Sequence, residues 1–421
     1  MKIYYDQRVF RAKSNSSAGE VSGETVFEYF QRGTVLTGTY GGGSISQGQL
    51  LGNVNEGGSL SFIYQHLNAE GEFRTGKCES VPRLLADGLV ELSEKWEWTS
   101  GKSGSGESVL EEFIPEVMKK KYFLLDVFTD RKFGGNQLAV FTNGGNLSGE
   151  TMQKVAKELN LSETTFILPP ESLENDYKVR IFTPGKELPT AGHPTLGTSH
   201  IIVSEKLKMV EGEKAELRLE QKVGMIPVDL ELSSEGFPQR ITMEAPLPNF
   251  LDIFEDVAQM AEVLNLQPSD IRLASPMQLV SCGVPFLIVP LNSLAAVENC
   301  KVNSVALEKY LADFPVTELL VFSTETVEGN SDVHCRMFAP EFGIVEDPAT
   351  GSANGPLGSY LIEHEVFPVK EVNEFVSEQG FEMGRPSYLY LTIVMENDKI
   401  TKVKVGGQSV IMGEGMMEIK S

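Results

Sequence analysis

RIFTP at residues 180–184 recurs as RMFAP at residues 336–340, and the segment that follows each copy decides the fold. The first copy is followed by AGHPTLGTSHII from Ala191, and the second by DPATGSANGPLGSYLI from Asp347. Both segments open with a turn containing glycine and proline and continue with small and apolar residues, which is typical of a strand, a tight turn and a helix. The repetition predicts two related halves, each with a helix that begins after such a turn. A chance similarity between two strand-turn-helix units is the alternative.

Strand and helix patterns alternate around the repeat from Tyr122 onward. NLSGETMQKVAKELN at residues 146–160 predicts a helix, because Ser148 can cap it and Met152, Val155 and Leu159 form one apolar face. Strands are predicted at YFLLDVF, TTFILPP, ELRLEQ, MIPVDLEL, QRITMEA, PFLIVPL, ELLVFST and HCRMFAP, and further helices at FEDVAQMAEVLN and SVALEKYLADF. This part of the chain is therefore predicted to be of the α+β class.

Residues 24–113 have a different texture. Short alternating runs rich in β-branched and aromatic residues are separated by glycine-rich turns. The runs are TVFEYF, TVLTGTY, GQLLGNV, LSFIYQHL, VELSEKWEWT and ESVLEEF. They predict an all-β domain over residues 1–117, either an antiparallel barrel or a sandwich. The proline and basic run of IPEVMKKK at residues 114–121 mark the junction with the α+β part.

Composition and charge limit the classes of function. The 421 residues carry 36 Lys and Arg against 59 Asp and Glu, a formal net charge of -23. Such acidity disfavours nucleic acid and membrane surfaces as partners, because binding to either relies on clustered Lys and Arg. The first residues lack the apolar core of a signal peptide, and no run of about eighteen apolar residues occurs, so we expect a cytoplasmic protein.

The four cysteines do not form a recognisable binding motif. Cys78, Cys282, Cys300 and Cys335 are scattered without C-x-x-C spacing, and no histidine pair supports a metal site. We therefore expect reduced, buried thiols and no metal.

The two repeated turns are candidate anion sites. A helix N-terminus presents unpaired N–H groups and a partial positive charge, so it attracts a carboxylate or phosphate without any Lys or Arg. Gly192 and Gly351 would let a ligand approach the backbone closely. Such a helix end would also lower the pKa of His193 and favour a neutral imidazole that can exchange a proton.

Each titratable candidate also has a structural interpretation. His193 is either a proton-transfer group or a turn histidine that holds local hydrogen bonds. Asp347 is either a reactive carboxylate or a helix cap before proline. Glu163, in LSETTF, is by spacing alone most simply a solvated loop glutamate.

Several motifs in the second part resemble the phenazine-biosynthesis PhzF-like isomerase family. They are DVFTDRKFGGNQLAVF, LSETTFIL, RIFTPGKELPTAGHPTLG, SCGVPFLIVPL, EDPATGSANGPLGSYL, QGFEMGRPSYL and VKVGGQSVIMGEG, and they occur in the family's order over about residues 121–419. The resemblance implies the diaminopimelate epimerase-like fold, with two lobes, each a curved sheet around a central helix. We expect one lobe over residues 121–237, completed by about 405–421, and the other over 238–404.

The resemblance also implies roles for individual residues. Glu163, in the SETTF motif, would be the general acid and base, and His193, Asp347 and Ser352 would line the cleft between the lobes. Gly192, Gly351 and Asn136 would contact the substrate. The family works without a cofactor and allows a homodimer. Gln137, where many members have proline, is a mild departure.

The resulting hypothesis is a cofactor-independent isomerase acting on a small carboxylate-bearing molecule. One alternative is a non-catalytic binding or scaffold protein with a vestigial cleft. Another is an amino-acid epimerase, but diaminopimelate epimerases use a cysteine at each of the two helix ends, and AGHPT and ATGSA contain none. The first part lies outside the family, and Trp96 and Trp98 on one strand face there suggest a core rather than a ligand platform.

Overall fold

The chain forms a β barrel followed by a two-lobed α+β part. The computed structural model describes residues 3–100, 104–311, 314–315, 318–340 and 343–420. Within these residues, no helix is both long enough and apolar enough to cross a membrane. The four cysteines are free and buried, as predicted.

The barrel has eight antiparallel strands, and β1 pairs with β8 to close it. The strands are β1 (Arg8–Asn15), β2 (Val26–Arg32), β3 (Val35–Gly42), β4 (Ile45–Val54), β5 (Leu60–Asn68), β6 (Phe73–Leu84), β7 (Val90–Trp98) and β8 (Ser105–Glu112). The prediction of an all-β barrel or sandwich is thus resolved in favour of the closed barrel. β1 and β6 are strands that the sequence pattern did not predict.

Glycines on the inner face of the barrel make room for aromatic rings. A Cβ atom on Gly48 would lie 2.3 Å from the Tyr40 ring, and one on Gly76 would lie 2.2 Å from the Tyr64 ring. Any side chain at these positions would overlap the ring, so each tyrosine ring requires the glycine beside it. Trp96, with 8% of its surface exposed, belongs to the same core.

The α+β part contains eighteen strands and six α-helices among the described residues. The helices are α1 (Gly149–Leu159), α2 (Gly192–Ser204), α3 (Val257–Leu264), α4 (Leu294–Asn299), α5 (Ser304–Leu311) and α6 (Gly351–Glu363). The strands are β9 (Val117–Val127), β10 (Asn136–Phe141), β11 (Glu163–Leu168), β12 (Tyr177–Phe182), β13 (Glu187–Leu188), β14 (Lys214–Gln221), β15 (Gly224–Leu232), β16 (Pro238–Ala245), β17 (Asn249–Phe254), β18 (Met277–Ser281), β19 (Pro285–Pro290), β20 (Leu319–Ser323), β21 (Val333–Ala339), β22 (Ile344–Asp347), β23 (Val372–Gln379), β24 (Ser387–Glu396), β25 (Lys399–Gly407) and β26 (Ser409–Lys420).

Each predicted helix and strand of this part has a counterpart. Ser148 caps α1 as expected, since its side chain accepts a hydrogen bond from the Thr151 N–H at 3.1 Å. Ala312 and Asp313, at the end of the helix predicted over SVALEKYLADF, lie outside the described residues.

The strand pairings repeat, which confirms the internal repeat. In lobe 1, β9–β10 is antiparallel, β10–β11 is parallel, β11–β12 is antiparallel and β12–β14 is parallel. The last two pairs, β14–β15 and β15–β16, are both antiparallel. Lobe 2 repeats this order: β18–β19 is antiparallel, β19–β20 is parallel, β20–β21 is antiparallel and β21–β23 is parallel. Its last two pairs, β23–β24 and β24–β25, are again antiparallel. RIFTP and RMFAP therefore lie on equivalent strands, β12 and β21.

α2 and α6 are the buried central helices of the two lobes. Small residues let the sheets close around them: a Cβ atom on Gly197 would lie 2.5 Å from Leu138, and one on Gly358 would lie 3.0 Å from Ile393. Leu196 and Leu357 are buried within this packing, and each such leucine stabilises the fold by about 1.5–3 kcal/mol.

Two long-range pairings tie the lobes and the chain together. β16, which begins at the predicted boundary between the lobes and was expected in lobe 2, pairs with β15 on one edge and with β25 on the other, so one sheet runs through both lobes. β26 returns to pair with β9 along its whole length. Because β9 begins at Val117, five of the eight residues of the predicted junction segment 114–121 are strand.

The barrel docks on lobe 1 through polar contacts. Gln7, at a positive φ of 59°, donates from Nε2 to Thr142 Oγ1 at 3.0 Å and accepts from the Lys121 N–H at 2.8 Å. Asn143 donates from Nδ2 to the carbonyl of Asp6 at 2.8 Å.

Candidate active site

Glu163 begins β11, immediately after the turn that ends α1. Asn160 closes the helix with a left-handed backbone at φ 50°, and Glu163 then lies beside Leu138 of the parallel strand β10. Its side chain keeps 16% of its surface exposed. The glutamate is therefore a mostly buried residue at a strand end, and not a solvated loop residue.

His193 is the second residue of α2, whose N-cap position is held by Ala191 in an extended conformation. The turn before it is braced by Gln221, which donates from Nε2 to Thr195 Oγ1 and accepts from Thr190 Oγ1, both at 2.6 Å. His193 is only 7% exposed. The sequence therefore places a buried imidazole at a helix start that has no side-chain cap.

Glu163 and His193 meet inside lobe 1. Glu163 Oε2 lies 3.1 Å from His193 Nε2, but the angles are not those of a hydrogen bond, and neither atom has a hydrogen-bond partner among the described residues. Burying two polar atoms without hydrogen-bond partners lowers the stability of the fold, unless a ligand or a transferred proton satisfies them. The two atoms therefore do not form a hydrogen-bonded pair and remain available to a ligand.

Asp347 comes from the other lobe, at the end of β22, and the surrounding groups hold it firmly. Its Oδ1 accepts from Asn136 Nδ2 at 2.8 Å, and its Oδ2 accepts from Thr350 Oγ1. Asn136 also donates to the carbonyl of Ala349 at 3.0 Å. Asn136 therefore links the two lobes and orients Asp347, while its own Oδ1 is buried without a protein partner among the described residues.

The starts of α2 and α6 face each other across the site. A Cβ atom built on Gly192 would lie 3.9 Å from Cα of Gly351, and the two helices are in contact. Among the described residues, neither N-cap residue, Ala191 or Thr350, caps its helix with a side-chain hydrogen bond. Ser352 is exposed in the first turn of α6. Two positive helix ends with free N–H groups thus converge on one small region.

Burial sets the protonation of the site. It raises the pKa of Glu163 to about 8, with a further contribution from the negative charge of Asp347. Burial also raises the pKa of Asp347 to about 6, against the hydrogen bonds from Thr350 and Asn136.

Burial lowers the pKa of His193 to about 3, against a hydrogen bond to the backbone of Gln137. The sequence analysis expected a neutral histidine because of the helix end. The imidazole is neutral, but burial is the main cause.

Three supporting residues were not found from the sequence. Gln379 is the lobe 2 counterpart of Gln221, and its Oε1 accepts from the Thr350 N–H at 3.2 Å and from Asn354 at 3.1 Å. Both glutamines end the equivalent strands β14 and β23 and follow a glutamate, so comparing RLEQ with VSEQ would have found them.

Phe128 is the third. It is buried at a φ of 67°, with its N–H bonded to Gln408 and its carbonyl to Tyr388. Its ring lies 3.1 Å from the position of a Cβ on Gly351. A strained backbone held by both lobes thus forms one wall beside the α6 helix start.

The seven site residues inferred from the resemblance lie in one region. Glu163 contacts His193, Asn136 contacts Asp347, and Gly192 faces Gly351, with Ser352 next to it. Within the described ranges, no group of three or more His, Cys, Asp or Glu side chains is arranged to hold a metal ion.

Comparison with known proteins identifies the family. The profile of the phenazine biosynthesis-like protein family matches residues 125–415, and that of the avidin-like protein family matches residues 3–113. A trans-2,3-dihydro-3-hydroxyanthranilate isomerase of Pseudomonas aeruginosa is 36% identical over 295 residues, which cover 70% of this chain and 98% of that protein.

Solved structures agree with the fold. A Bacillus anthracis phenazine biosynthesis protein of the PhzF family superposes with a TM-score of 0.65 at 26% identity, covering 71% of this chain and 99% of that one. A predicted epimerase from Pseudomonas aeruginosa superposes with a TM-score of 0.58 at 29% identity and the same coverage. The resemblance noted in the sequence is thereby confirmed. The chain belongs to the PhzF family of isomerases and carries an avidin-like barrel ahead of the family domain.

Proposed function

We propose that the protein is a cofactor-independent isomerase that moves a proton between two carbons of a small carboxylate-bearing metabolite. The observation that carries the proposal is the pair of Glu163 Oε2 and His193 Nε2, 3.1 Å apart and without hydrogen-bond partners among the described residues, beside two facing helix starts. A base, a neutral hydrogen-bonding group and an anion site are what such a reaction needs.

The substrate carboxylate binds between the starts of α2 and α6. The free N–H groups near Gly192 and Gly351 donate to its oxygens, and both helix dipoles favour its charge. Backbone donors explain how a protein with a net charge of -23 holds an anion. Backbone N–H groups also stay fixed during the reaction, so they keep the substrate in one orientation over the base.

Glu163 is the base and then the acid. Its carboxylate removes a proton from an activated carbon, and the electron pair of that C–H bond moves into the neighbouring unsaturated system. The same carboxyl group returns the proton to another carbon, which leaves the substrate isomerised and the enzyme unchanged. A pKa near 8 suits both half-steps, because the group accepts and releases a proton near neutral pH.

His193 and Asp347 both assist Glu163. The ring bonds to the Gln137 backbone through its other nitrogen, so the neutral imidazole accepts at Nε2 and can take a hydrogen bond from Glu163 when that carboxyl is protonated. Asp347, held by Asn136 and Thr350, faces Glu163 and disfavours its ionised form, which keeps the carboxyl basic. The relative from Pseudomonas aeruginosa, whose name specifies an anthranilate derivative, supports a carboxylate-bearing substrate of modest size.

Deuterium exchange tests the proposal. The protein in D2O is incubated with trans-2,3-dihydro-3-hydroxyanthranilate and, separately, with metabolite extract, and mass spectrometry follows incorporation of deuterium. We expect exchange with the unmodified protein, none with Glu163→Gln, and full exchange with Glu158→Gln, an exposed control in α1. Full exchange in Glu163→Gln would exclude this glutamate as the base.

The two alternatives predict different outcomes. A binding protein with a vestigial cleft would bind a small carboxylate without any exchange. A two-thiol epimerase is disfavoured, because burial raises the pKa of Cys282 to about 11 and those of Cys300 and Cys335 to about 12, and none begins a central helix.

A further inference from the structure

The interior of the barrel contains a second cavity that the isomerase chemistry does not use. It measures about 40 Å³ and lies under the loop that joins β1 to β2. Its lining includes Glu94 and the rings of Tyr40, Tyr64, Trp96 and Trp98. A cavity of that size holds a group slightly larger than one water molecule.

Glu94 is a buried carboxyl group in the cavity wall, and burial raises its pKa to about 7, against the hydrogen bond from Ser108. It is 7% exposed, and its Oε2 accepts a hydrogen bond from Ser108 at 2.8 Å. Its Oε1 is buried and has no hydrogen-bond partner among the described residues. None of the described residues that line the cavity is a lysine or arginine. Burial disfavours the ionised form of this carboxyl group, and a cation beside the free oxygen would stabilise that form.

The other titratable groups of the cavity wall do not pair with Glu94 Oε1. Glu20, from the β1–β2 loop, also lines the cavity, and its carboxylate is paired with Arg74 at 3.2 Å and with His66, itself part of the wall, at 2.8 Å. Burial, followed by nearby negative charge that includes Glu94, raises the pKa values of Tyr40 and Tyr64. Neither tyrosine is therefore an anion, and the electron-rich ring faces remain available to a cation.

We propose that the barrel binds a small primary ammonium ion, of the methylammonium class, between Glu94 Oε1 and the aromatic wall. The ammonium donates to the free carboxylate oxygen, and its short alkyl group packs against the rings of Trp96 and Trp98. Size excludes a large amine while the loop is closed. The loop is attached by side-chain bonds that opening would break, among them the one from Trp98 Nε1 to the Ala18 carbonyl at 3.2 Å.

Tryptophan fluorescence, excited where tyrosine does not absorb, reports on this cavity, because the chain has two tryptophans and both line it. The full-length protein is titrated with methylammonium chloride while fluorescence is followed. Sodium chloride at equal ionic strength and methanol, a neutral molecule of similar size, serve as controls. We expect a saturable change with methylammonium and none with either control.

Two variants on the same strand make the assignment specific. Glu94→Gln keeps the shape but removes the charge, and we expect binding to weaken by about tenfold or more. Glu97→Gln changes an exposed residue on the opposite face, paired with Lys77, and should leave binding unchanged. Equal affinity in Glu94→Gln, an equal response to methanol, or no saturable change at all would overturn the proposal. Because Gln relieves a buried charge, Glu94→Gln is expected to fold, and circular dichroism confirms it.

Discussion

Gln379 donates a hydrogen bond from Nε2 to the backbone carbonyl of Asp347 at 2.7 Å, while its Oε1 accepts from the Thr350 N–H. One amide thus holds both ends of the turn that carries the Asp347 carboxyl. We expect Gln379→Leu to lower kcat by roughly tenfold with little change in KM, because a displaced carboxyl affects the proton transfer more than binding. Steady-state kinetics on the substrate found by exchange would measure this.

The matched variant is Gln221→Leu. Gln221 braces Thr190 and Thr195 in lobe 1 by the same kind of contact, but that turn carries no carboxyl. Its kcat should therefore fall less than that of Gln379→Leu. Equal losses in the two variants would show that both act only on stability.

The pH dependence of activity should follow Glu163. The base must be ionised, so kcat/KM should fall about tenfold per pH unit below a pKa of about 8. Asp347→Asn removes a negative charge that raises this pKa, and the acid limb should therefore move to lower pH, whatever the loss in absolute rate. His193, with a pKa of about 3, titrates below this range. A limb that stays in place or moves upward in Asp347→Asn would contradict the assignment.

The free energy of unfolding should also depend on the ionisation of Glu163, but it should fall as pH rises, whereas activity should rise. Its pKa is about 8 in the folded protein and near 4.5 when unperturbed, so between these values the folded state holds a proton that the unfolded state has lost. The free energy of unfolding then decreases as pH rises, by up to about 1.4 kcal/mol per pH unit. Glu163→Gln lacks this titration and should be the more stable protein at pH 8, by on the order of a few kcal/mol.

Urea unfolding of both proteins at pH 4.5 and pH 8 measures the effect. The difference between them should be small at the lower pH and grow at the higher one. A Glu163→Gln variant that is less stable than the parent at pH 8 would mean that the carboxylate is favourably paired in the fold.

The facing glycines should control affinity for the anion. Gly192→Ala places a Cβ in ordinary contact with Gly351 at 3.9 Å, so the fold tolerates it, but the methyl group occupies space between the helix starts. We expect binding of a small carboxylate to weaken by about tenfold, measured by calorimetry. Gly185→Ala, in an exposed turn of the same lobe with only Thr183 nearby, is the control and should bind normally. Unchanged affinity in Gly192→Ala would place the anion elsewhere.

The repeat provides a matched pair of arginines. Arg336 forms a bidentate pair with Glu346 and donates to the carbonyls of Val297 and Cys300 at the end of α4. Its counterpart Arg180 forms a bidentate pair with Glu187, its side chain is 25% exposed, and among the described residues it makes no hydrogen bond to a backbone carbonyl. Arg336→Lys should lower the free energy of unfolding by about 2–4 kcal/mol, and Arg180→Lys by about 1 kcal/mol or less. Similar losses from urea unfolding would contradict the inferred role of the α4 carbonyls.

The sequence predicted the two-lobed architecture because its signals are local. RIFTP and RMFAP, followed by glycine-containing turns, are short enough to compare by eye, and the strand pairings they predict are repeated. By contrast, β6 was missed because its inward positions are Gly76, Cys78 and Ser80, which are small to accommodate rings from β5 and β7. A search for alternating apolar residues misses a strand such as β6, because the neighbouring strands supply the large side chains that fill the core beside it.

The candidate site was likewise predicted only in part from the sequence. Local motifs and the resemblance identified Glu163, His193 and Asp347, but spacing alone ranked Glu163 lowest. Its burial depends on α2 and β10, which no local pattern links to it. The positive φ of Phe128 results from contacts with Tyr388 and Gln408, both distant in sequence, so it could be recognised only in the folded chain.

The pairing of β26 with β9 constrains how the protein is made. During synthesis the barrel can close as soon as β8 has left the ribosome, since all of its strands are consecutive. β9 emerges next, yet one of its edges has no partner until nearly the whole two-lobed part has been translated. An unpaired edge invites association with other chains. The late return of β26 is therefore the step that closes this edge, and a chain interrupted before β26 would leave it exposed.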